Sequence, residues 1–556
     1  MPQDHRIWQH PDFDFARGPV VRFTFDGRPV LGYEGETVGA ALLATGLRTL
    51  ARSIKFHRPR GIRCAIGKCA QCFVTADGIP NVRACTEPVR GGMAVRSQNA
   101  WPSVAHDALR IFDYGSFLLK PGFQYRLFIR PRWLRPRFYR MLRALAGHGR
   151  VTAGGQTTPP APRREVERVP LVVVGGGPAG MAAALAAASA GIAVTLVDEN
   201  TYLGGHLLFD PTLVREGPPE YEGRPGPAVA AALTTQVAAT ARINVLDNTV
   251  VIGGEAGILP VVGPEGLRKL QPDALIIATG AYDAIPPFPG SDLPNVFGRR
   301  AMQRVLHEWG VRPAPAAALL EDDDALRAQL RAAGMAVTES GLRPPTRGCA
   351  VVSPWLRPNN DLCAVIGCRM RFSAEPGGMV PELTDAMESS AERVFVCGEA
   401  AGVVGAGTAI LQGGLAGLSA ALALGAGDAA TRRAREALLP HGQARNQVPT
   451  STLPNPHPGA PRGGVVCLCE DVSDGDLRHC IAGGYADSES LKRFSGIGMG
   501  PCQGKYCAGR MLEMLVEAGV TDPHKTRPTT QRPPLAPTRL ADLAGETDEV
   551  AHEHAR

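Results

Sequence analysis

Apolar and polar positions alternate over Val21-Arg-Phe-Thr-Phe and again over Arg28-Pro-Val-Leu, with Asp26-Gly27 between them. A period of two interrupted by Asp-Gly predicts a β-hairpin. Residues 37–45 place a threonine ahead of a small, apolar run and predict a short helix. A different pattern opens at Leu171-Val-Val-Val: a continuous apolar run, a glycine turn, an alanine-rich stretch and a second run, Val194-Thr-Leu-Val. Continuous apolar runs suit strands buried on both faces, so strand, turn, helix, strand predicts a βαβ unit. Ala316-Ala-Ala-Leu-Leu predicts a further strand. Residues 401–427 carry no charge and are long enough to cross a bilayer. Their glycine and alanine content favours a buried helix instead. Residues 474–483 and 489–494 read as short helices.

Two Pro/Gly-rich segments, 154–164 and 447–464, read as linkers. They divide the chain into 1–150, 165–445, 465–525 and a Pro-rich arm with a polar tail, 526–556. The expected fold class is multidomain α/β and α+β. It comprises a β-grasp domain with a helical extension, a Rossmann-type core containing a reduced second nucleotide domain at 296–348, and a small helical domain. The length of 556 residues fits several domains, and 44% hydrophobic with 20% charged residues fits an ordinary globular protein. A net charge of +6 is too small to argue for nucleic acid. The Arg-rich stretch 126–143 is interleaved with aromatics and leucine, and reads as a packed or partner-facing helix. The polar start Met1-Pro-Gln-Asp-His lacks a signal-peptide pattern, so the expectation is a cytoplasmic protein that is not integral to a membrane.

Thirteen cysteines without a secretory signal point to thiols or metal ligands rather than disulfides. Cys64, Cys69, Cys72 and Cys85 follow C-x4-C-x2-C-x12-C, the plant-type [2Fe–2S] spacing. A tight loop containing Gly61 and Gly67 can wrap such a cluster and aim N–H groups at its sulfurs. Structural zinc or free thiols are the alternatives, although zinc sites rarely use this spacing. Cys467, Cys469, Cys502 and Cys507 follow C-x-C-x32-C-x4-C. That pattern resembles the small helical bacterioferritin-associated-ferredoxin type of [2Fe–2S] domain, which more commonly ends in C-x2-C; zinc or no metal are the alternatives. Cys349, Cys363, Cys368, Cys397 and Cys480 are scattered and read as small buried hydrophobes.

Gly175-Gly-Gly177-Pro178-Ala179-Gly180 follows a strand and opens a helix, and Asp198 ends the next strand. This is a dinucleotide fingerprint: Gly175 for the turn, Gly177 for approach to the pyrophosphate, Gly180 for helix–strand packing. Asp198 is expected on the adenosine ribose, with adjacent Glu199 as competitor. Gly204 and Gly205, Ala278-Thr279-Gly280 and Gly398-Glu399 follow in the order seen in flavoproteins with two dinucleotide domains, which favours FAD over NAD. Glu399 stands where Asp is commoner. Between the last two motifs, Ala316–Leu319 leads into Glu321-Asp-Asp-Asp324. Carboxylates there would repel a pyrophosphate, so 296–348 is expected not to bind NAD(P)H. No acid–base constellation stands out, and no catalytic residue is nominated. His57 and His206 read as structural.

The three modules in this order, with His57-Arg-Pro-Arg-Gly, Asn99-Ala-Trp-Pro-Ser, Pro121-Gly-Phe and Phe128, resemble the α-subunit of heterotetrameric sarcosine oxidase. Gly377-Gly-Met-Val-Pro, Gly398-Glu-Ala-Ala-Gly and the motif at 498–507 resemble the α-subunits of opine oxidases and hydrogen cyanide synthase. The resemblance implies FAD, two [2Fe–2S] clusters and, in some members, FMN at a subunit interface. It implies a β-subunit flavoprotein that oxidises sarcosine, an opine, proline or hydroxyproline, or glycine. It also implies a downstream acceptor: quinone, carrier protein or O2. The competing reading is a self-contained NAD(P)H-dependent flavin/iron–sulfur reductase.

Overall fold

The computed structural model describes residues 4–116, 120–123, 132–145, 147, 149, 165–339, 344–345, 348–352, 355–373, 378–442, 463–522 and 525–543. Phe128, Gly377, the segment 154–164 and most of 447–464 lie outside them. The chain forms two compact units, each assembled from separate stretches of sequence.

The first unit comprises Met1–Gly155, Asp283–Trp355 and Thr450–Thr529. Its N-terminal stretch builds a five-stranded mixed sheet in which Val20–Phe25 pairs antiparallel with Arg28–Tyr33 and parallel with Ala94–Ser97. Asp26 and Gly27 both take positive φ (49° and 76°), so the predicted hairpin turns in the primed form that matches strand twist. Helix Val38–Ala44 lies buried beside this sheet, and the Thr37 hydroxyl caps it from 3.1 Å. The second stretch forms a four-stranded parallel sheet of Val296–Gly298, Cys349–Val352, Ala316–Leu319 and Ala336–Glu339. It does not keep a core to itself. Met302, Val305, Leu306 and Trp309 join Leu42, Leu43, Leu50 and Val95 in one continuous buried cluster.

The third stretch pairs Val465–Cys467 with Val472–Ser473 and continues into helices Asp474–Ala482, Ser488–Ser495 and Ala508–Glu517. The first of these helices starts with a reciprocal Ser473/Asp476 capping box. Arg60 ties the three stretches together. Its guanidinium reaches Asp292 Oδ2 at 3.3 Å, Leu468 O at 3.3 Å and Asp471 Oδ1 at 2.5 Å. Both Arg60 and Asp471 are buried.

The second unit comprises Gln156–Tyr282, Leu356–Pro449 and Thr530–Arg556. Its seven-stranded sheet runs Ile243–Leu246, Val194–Val197, Val166–Val174, Gly266–Ile277, with Val394–Val396 parallel on the C-terminal half of the last, a hairpin strand, Leu259–Gly263, antiparallel on its first half, and Val250–Val251 antiparallel to that strand at the edge. Helix Pro178–Ser189 follows the glycine loop. It is apolar on every side because it is sandwiched between this sheet and helix Ala406–Ala423. Gly413 and Gly417 make that crossing close. A Cβ at either would fall 2.1 Å from Ala179 O or 2.3 Å from Ala183 O. The charge-free stretch is therefore a core helix, as its small residues predict, with most of its residues buried.

The units cut across the order of the chain. Residues 296–348, expected as an insert of the Rossmann-type domain, share their core with the β-grasp sheet. The Pro-rich arm sends Leu535 into the core of the second unit, and Pro533 sits against Gly253. In the Arg-rich stretch, helix Arg135–Leu145 buries Phe138 and exposes Trp133 and Tyr139 on its rim.

Candidate functional site

In the first unit all eight cysteines of the two quartets are free thiols and buried. The loop between Cys64 and Cys72 turns through left-handed Ala65, Gly67 and Ala70 (φ 54°, 71° and 55°), and N–H groups along it converge on sulfur. Gly67 N–H donates to Cys85 Sγ at 3.3 Å. Cys64 is in thiol contact with Cys69 and Cys85, and Cys72 with Cys85. Burial works against a Cys64 thiolate, but hydrogen bonds from those thiols and from the Ile66 and Cys69 N–H groups hold it well below the usual thiol range. The side chain of Cys64 pushes Cys85 and Cys69 up in turn. The guanidinium of Arg63 lies fully buried beside Cys69 and donates to Ser291 O.

The second quartet forms two pairs, Cys467 with Cys507 and Cys469 with Cys502. The Cys469 thiol lowers Cys502 to about 7, against its burial and with help from the Gly504 and Tyr506 N–H groups. Gln503 and Gly504 are left-handed here too (φ 53° and 83°), and buried Lys505 adds positive charge. Each quartet thus has four convergent sulfurs, N–H donors aimed at them and a buried cation. That set fits the two irons and net negative charge of a [2Fe–2S] group. Among the described residues no three His, Cys, Asp or Glu side chains close around a single ion. Two thiolate pairs about two irons are a wider arrangement than that.

In the second unit the predicted motifs meet at the C-terminal ends of the parallel strands. Gly175 (φ 110°) leaves no room for a side chain, since a Cβ would fall 2.3 Å from Ala278 O. A Cβ on Gly180 would fall 1.7 Å from Gly175 O. At Gly177 a Cβ would meet nothing within 4 Å, which leaves an open cradle in front of the helix beginning at Pro178. Gly204 N–H donates to Gly176 O at 2.8 Å, and Gly205 packs against Gly177. Gly398 sits against Ala179, and the Glu399 carboxylate lies by Gly280.

Asp198 is buried under the loop, accepts from Gly176 N–H and from Asn200 N–H (2.7 Å), and is raised by burial. Glu199 is exposed. The arrangement favours Asp198 over Glu199 as the residue facing a ribose. An open space before a helix N-terminus, walled by backbone and edged by two carboxylates, fits a dinucleotide.

Several contributors had no sequence signal. Asn359 pins the Thr279–Gly280 turn by donating its N–H to Gly280 O at 2.8 Å and accepting from the Thr279 hydroxyl. Gln71, Arg63 and Lys505 are isolated polar residues that no pattern marks. Cys363 and Cys368, read as scattered, are in thiol contact. Helix Asp361–Val365 ends in a Schellman turn at Gly367, with Cys368 N–H on Cys363 O at 2.9 Å, which folds the two side chains together.

His57 is structural: its Nδ1 meets Asp107 Oδ2 at 2.8 Å in a buried pair. His206 pairs with Asp210 at 3.4 Å one helical turn on. The acidic run after Ala316–Leu319 is consumed locally. Asp323 caps helix Asp324–Ala332 through Leu326 N–H at 2.9 Å and pairs with Arg299 at 3.0 Å, while Arg327 binds Asp322 and Asp324.

Comparison with known proteins agrees with these modules. Residues 18–100 match the family described as 2Fe-2S iron-sulfur cluster binding domain, 169–310 the pyridine nucleotide-disulphide oxidoreductases, and 463–546 the sarcosine oxidase A3 domain. Fold and site together define a multidomain α/β oxidoreductase of flavin type that carries a [2Fe–2S] domain. Within that class the chain is similar to sarcosine oxidase α-subunits and opine oxidase subunits. It is 29% identical to the sarcosine oxidase α-subunit of Rhizobium meliloti over 95% of its own length. It is 27% identical to the corresponding opine oxidase subunit of Rhizobium meliloti, over 67% of this chain and 87% of that one. It spans 58% of the sarcosine oxidase chain. The fold matches the crystal structure of L-proline dehydrogenase from P. horikoshii with a TM-score of 0.71 at 20% identity, covering 96% of this chain and 100% of that one.

Proposed function

We propose that this chain is the electron-transferring α-type subunit of a heteromeric amine or amino-acid dehydrogenase or oxidase, with FAD in the second unit and a [2Fe–2S] cluster in each cysteine quartet of the first. The observation that carries this reading is the coexistence, in one chain, of two buried four-sulfur cradles and a dinucleotide cradle. When bound, FAD accepts two electrons and each cluster one at a time, so the set divides a two-electron C–N oxidation into single steps. The chain's own residues hold and tune these groups. The helix opening at Pro178 presents N–H donors to a diphosphate, Asp198 accepts from ribose hydroxyls, and Glu399 is placed for the ribityl chain. Cys64, Cys69, Cys72 and Cys85 ligate one cluster, and Cys467, Cys469, Cys502 and Cys507 the other.

A β-subunit flavoprotein performs the substrate oxidation, on sarcosine, an opine, proline or hydroxyproline, or glycine, with FMN at the interface as a further candidate. Electrons leave to a quinone, a carrier protein or O2. The thirteen free cysteines suit the reducing cytoplasm.

The capped acidic loop at Asp323 argues against NAD(P)H as donor, because the N–H groups a pyrophosphate would need already serve a carboxylate. The test is co-purification of the chain with whatever is encoded next to it, then anaerobic titration of the resulting complex with each amine and with NADH. Flavin bleaching and an EPR signal with one amine, and none with NADH, are expected. Amine oxidation by the isolated chain, or bleaching by NADH alone, would overturn the proposal.

A further inference from the structure

The two cysteine quartets come from opposite ends of the chain, yet within the first unit they abut. Cys469 Sγ lies 4.0 Å from the main-chain oxygen of Cys69. One side chain bridges them. Gln71 is 4% exposed, and its amide Nε2 donates to Cys69 O at 2.9 Å and to Cys469 Sγ at 3.7 Å. Its other end, Oε1, is buried with no hydrogen-bond partner among the described residues. Gln71 also lines a cavity of about 40 Å³ shared with Arg52, Asn81, Gln98 and Cys469, room enough for water. The amide is therefore oriented with its donor end on the two cradles and its acceptor end available to the polar cavity. An ordinary core glutamine would have satisfied both ends within its own module.

We infer that Gln71, supplied by the N-terminal cradle, is a positioning residue for the C-terminal one: by donating to Cys469 Sγ across the junction it raises the reduction potential of the C-terminal cluster. The physical ground is general. A hydrogen bond to a ligating sulfur stabilises the more negative, reduced state, so removing it lowers the potential. The main-chain N–H of Gln71 serves Cys69 and survives any substitution of the side chain. The effect is accordingly asymmetric, strong on the C-terminal cluster and weak on the N-terminal one. This inference rests on the proposal that both quartets hold [2Fe–2S] clusters.

The test is an EPR-monitored redox titration of the full-length chain, with signals assigned through Cys72→Ser and Cys502→Ser, and with iron and sulfide measured alongside. In Gln71→Leu the reduced-to-oxidised ratio of the C-terminal cluster at fixed poise is expected to fall about tenfold, about 59 mV for one electron. Gln71→Glu, which replaces the donor with an acceptor, is expected to fall further, and in Gln71→Leu the N-terminal cluster keeps its potential. An unchanged C-terminal potential with four irons retained would overturn the inference while leaving the cluster assignment intact. Loss of the C-terminal cluster in both variants would make Gln71 a structural staple and overturn it as well. Two or fewer irons in the wild-type chain would instead sink the cluster assignment, and the inference with it.

Discussion

At Asp283 burial and charge oppose each other. The carboxyl is fully buried; Oδ2 accepts from Ala301 N–H at 3.2 Å, while Oδ1 has no partner among the described residues. Burial pushes its pKa from 3.8 to about 6, and the charges of Arg300 and Arg299 offset this only in part. Folding therefore binds the proton more tightly than the open chain does. The favourable contribution is complete below the unfolded value near 3.8 and is lost as pH rises through about 6. Asp283→Asn keeps an acceptor and carries no charge. Its stability relative to wild type is expected to improve by roughly 2–3 kcal/mol between pH 4 and pH 8, read from denaturant unfolding at each pH. A pH-independent difference would show that the carboxyl is never ionised at a cost. Nothing in the sequence marks Asp283. It lies three residues past the Ala278–Gly280 motif with no partner in register, and only the fold places it under the helix starting at Arg299.

At the scale of elements, what was legible is what local geometry enforces. The loop Gly175–Gly180 could be read because Gly180 answers a steric demand inside the same turn, at Gly175 O, whereas the demand that Ala278 O makes on Gly175 comes from about a hundred residues along the chain and could not be read. The hairpin at Asp26-Gly27 was legible for the same reason as Gly180, since turn chemistry is written next to the strands it joins. Gly413 and Gly417 were not legible as a pair with Ala179 and Ala183, because a charge-free run says that a helix is buried but not against what. The glycine loop carries a prediction that separates holding the nucleotide from holding the fold. Gly180→Val forces a side chain into Gly175 O and is expected to lose both flavin and stability. At Gly177 the space is open, so Gly177→Val is expected to keep the unfolding free energy of the FAD-free protein within about 0.5 kcal/mol while weakening FAD retention at least tenfold. Flavin released on gel filtration against a denaturation midpoint distinguishes the two. A Gly177→Val protein that keeps its yellow colour through dialysis would remove this loop from the nucleotide site.

Across the whole molecule, sequence order and structural order part company. Periodicity finds three apolar segments in the first unit, but only long-range contact decides that residues 296–348 share a core with the β-grasp sheet. The four-stranded parallel sheet whose acidic loop is closed by Asp323 and Arg299 serves as the other half of the first cysteine domain's core. Leu306 is fully buried in that shared cluster, more than 220 residues beyond Cys85. Leu306→Ala is expected to cost about 2–5 kcal/mol. It should lower the denaturant midpoint at which the N-terminal cluster's visible absorbance is lost, although no cluster ligand has been touched.

The buried Arg60–Asp471 pair adds a second, polar tie of the same kind. Arg60→Met alone leaves a buried carboxylate with, among the described residues, only the Phe56 N–H as partner and should cost roughly 3–5 kcal/mol, whereas Arg60→Met with Asp471→Asn, which removes the charge but keeps an acceptor for Phe56, should recover most of that loss. If Leu306→Ala left the N-terminal cluster's stability unchanged, the 296–348 region would be an independent lobe, and the sequence's own division of the chain would have been the better description.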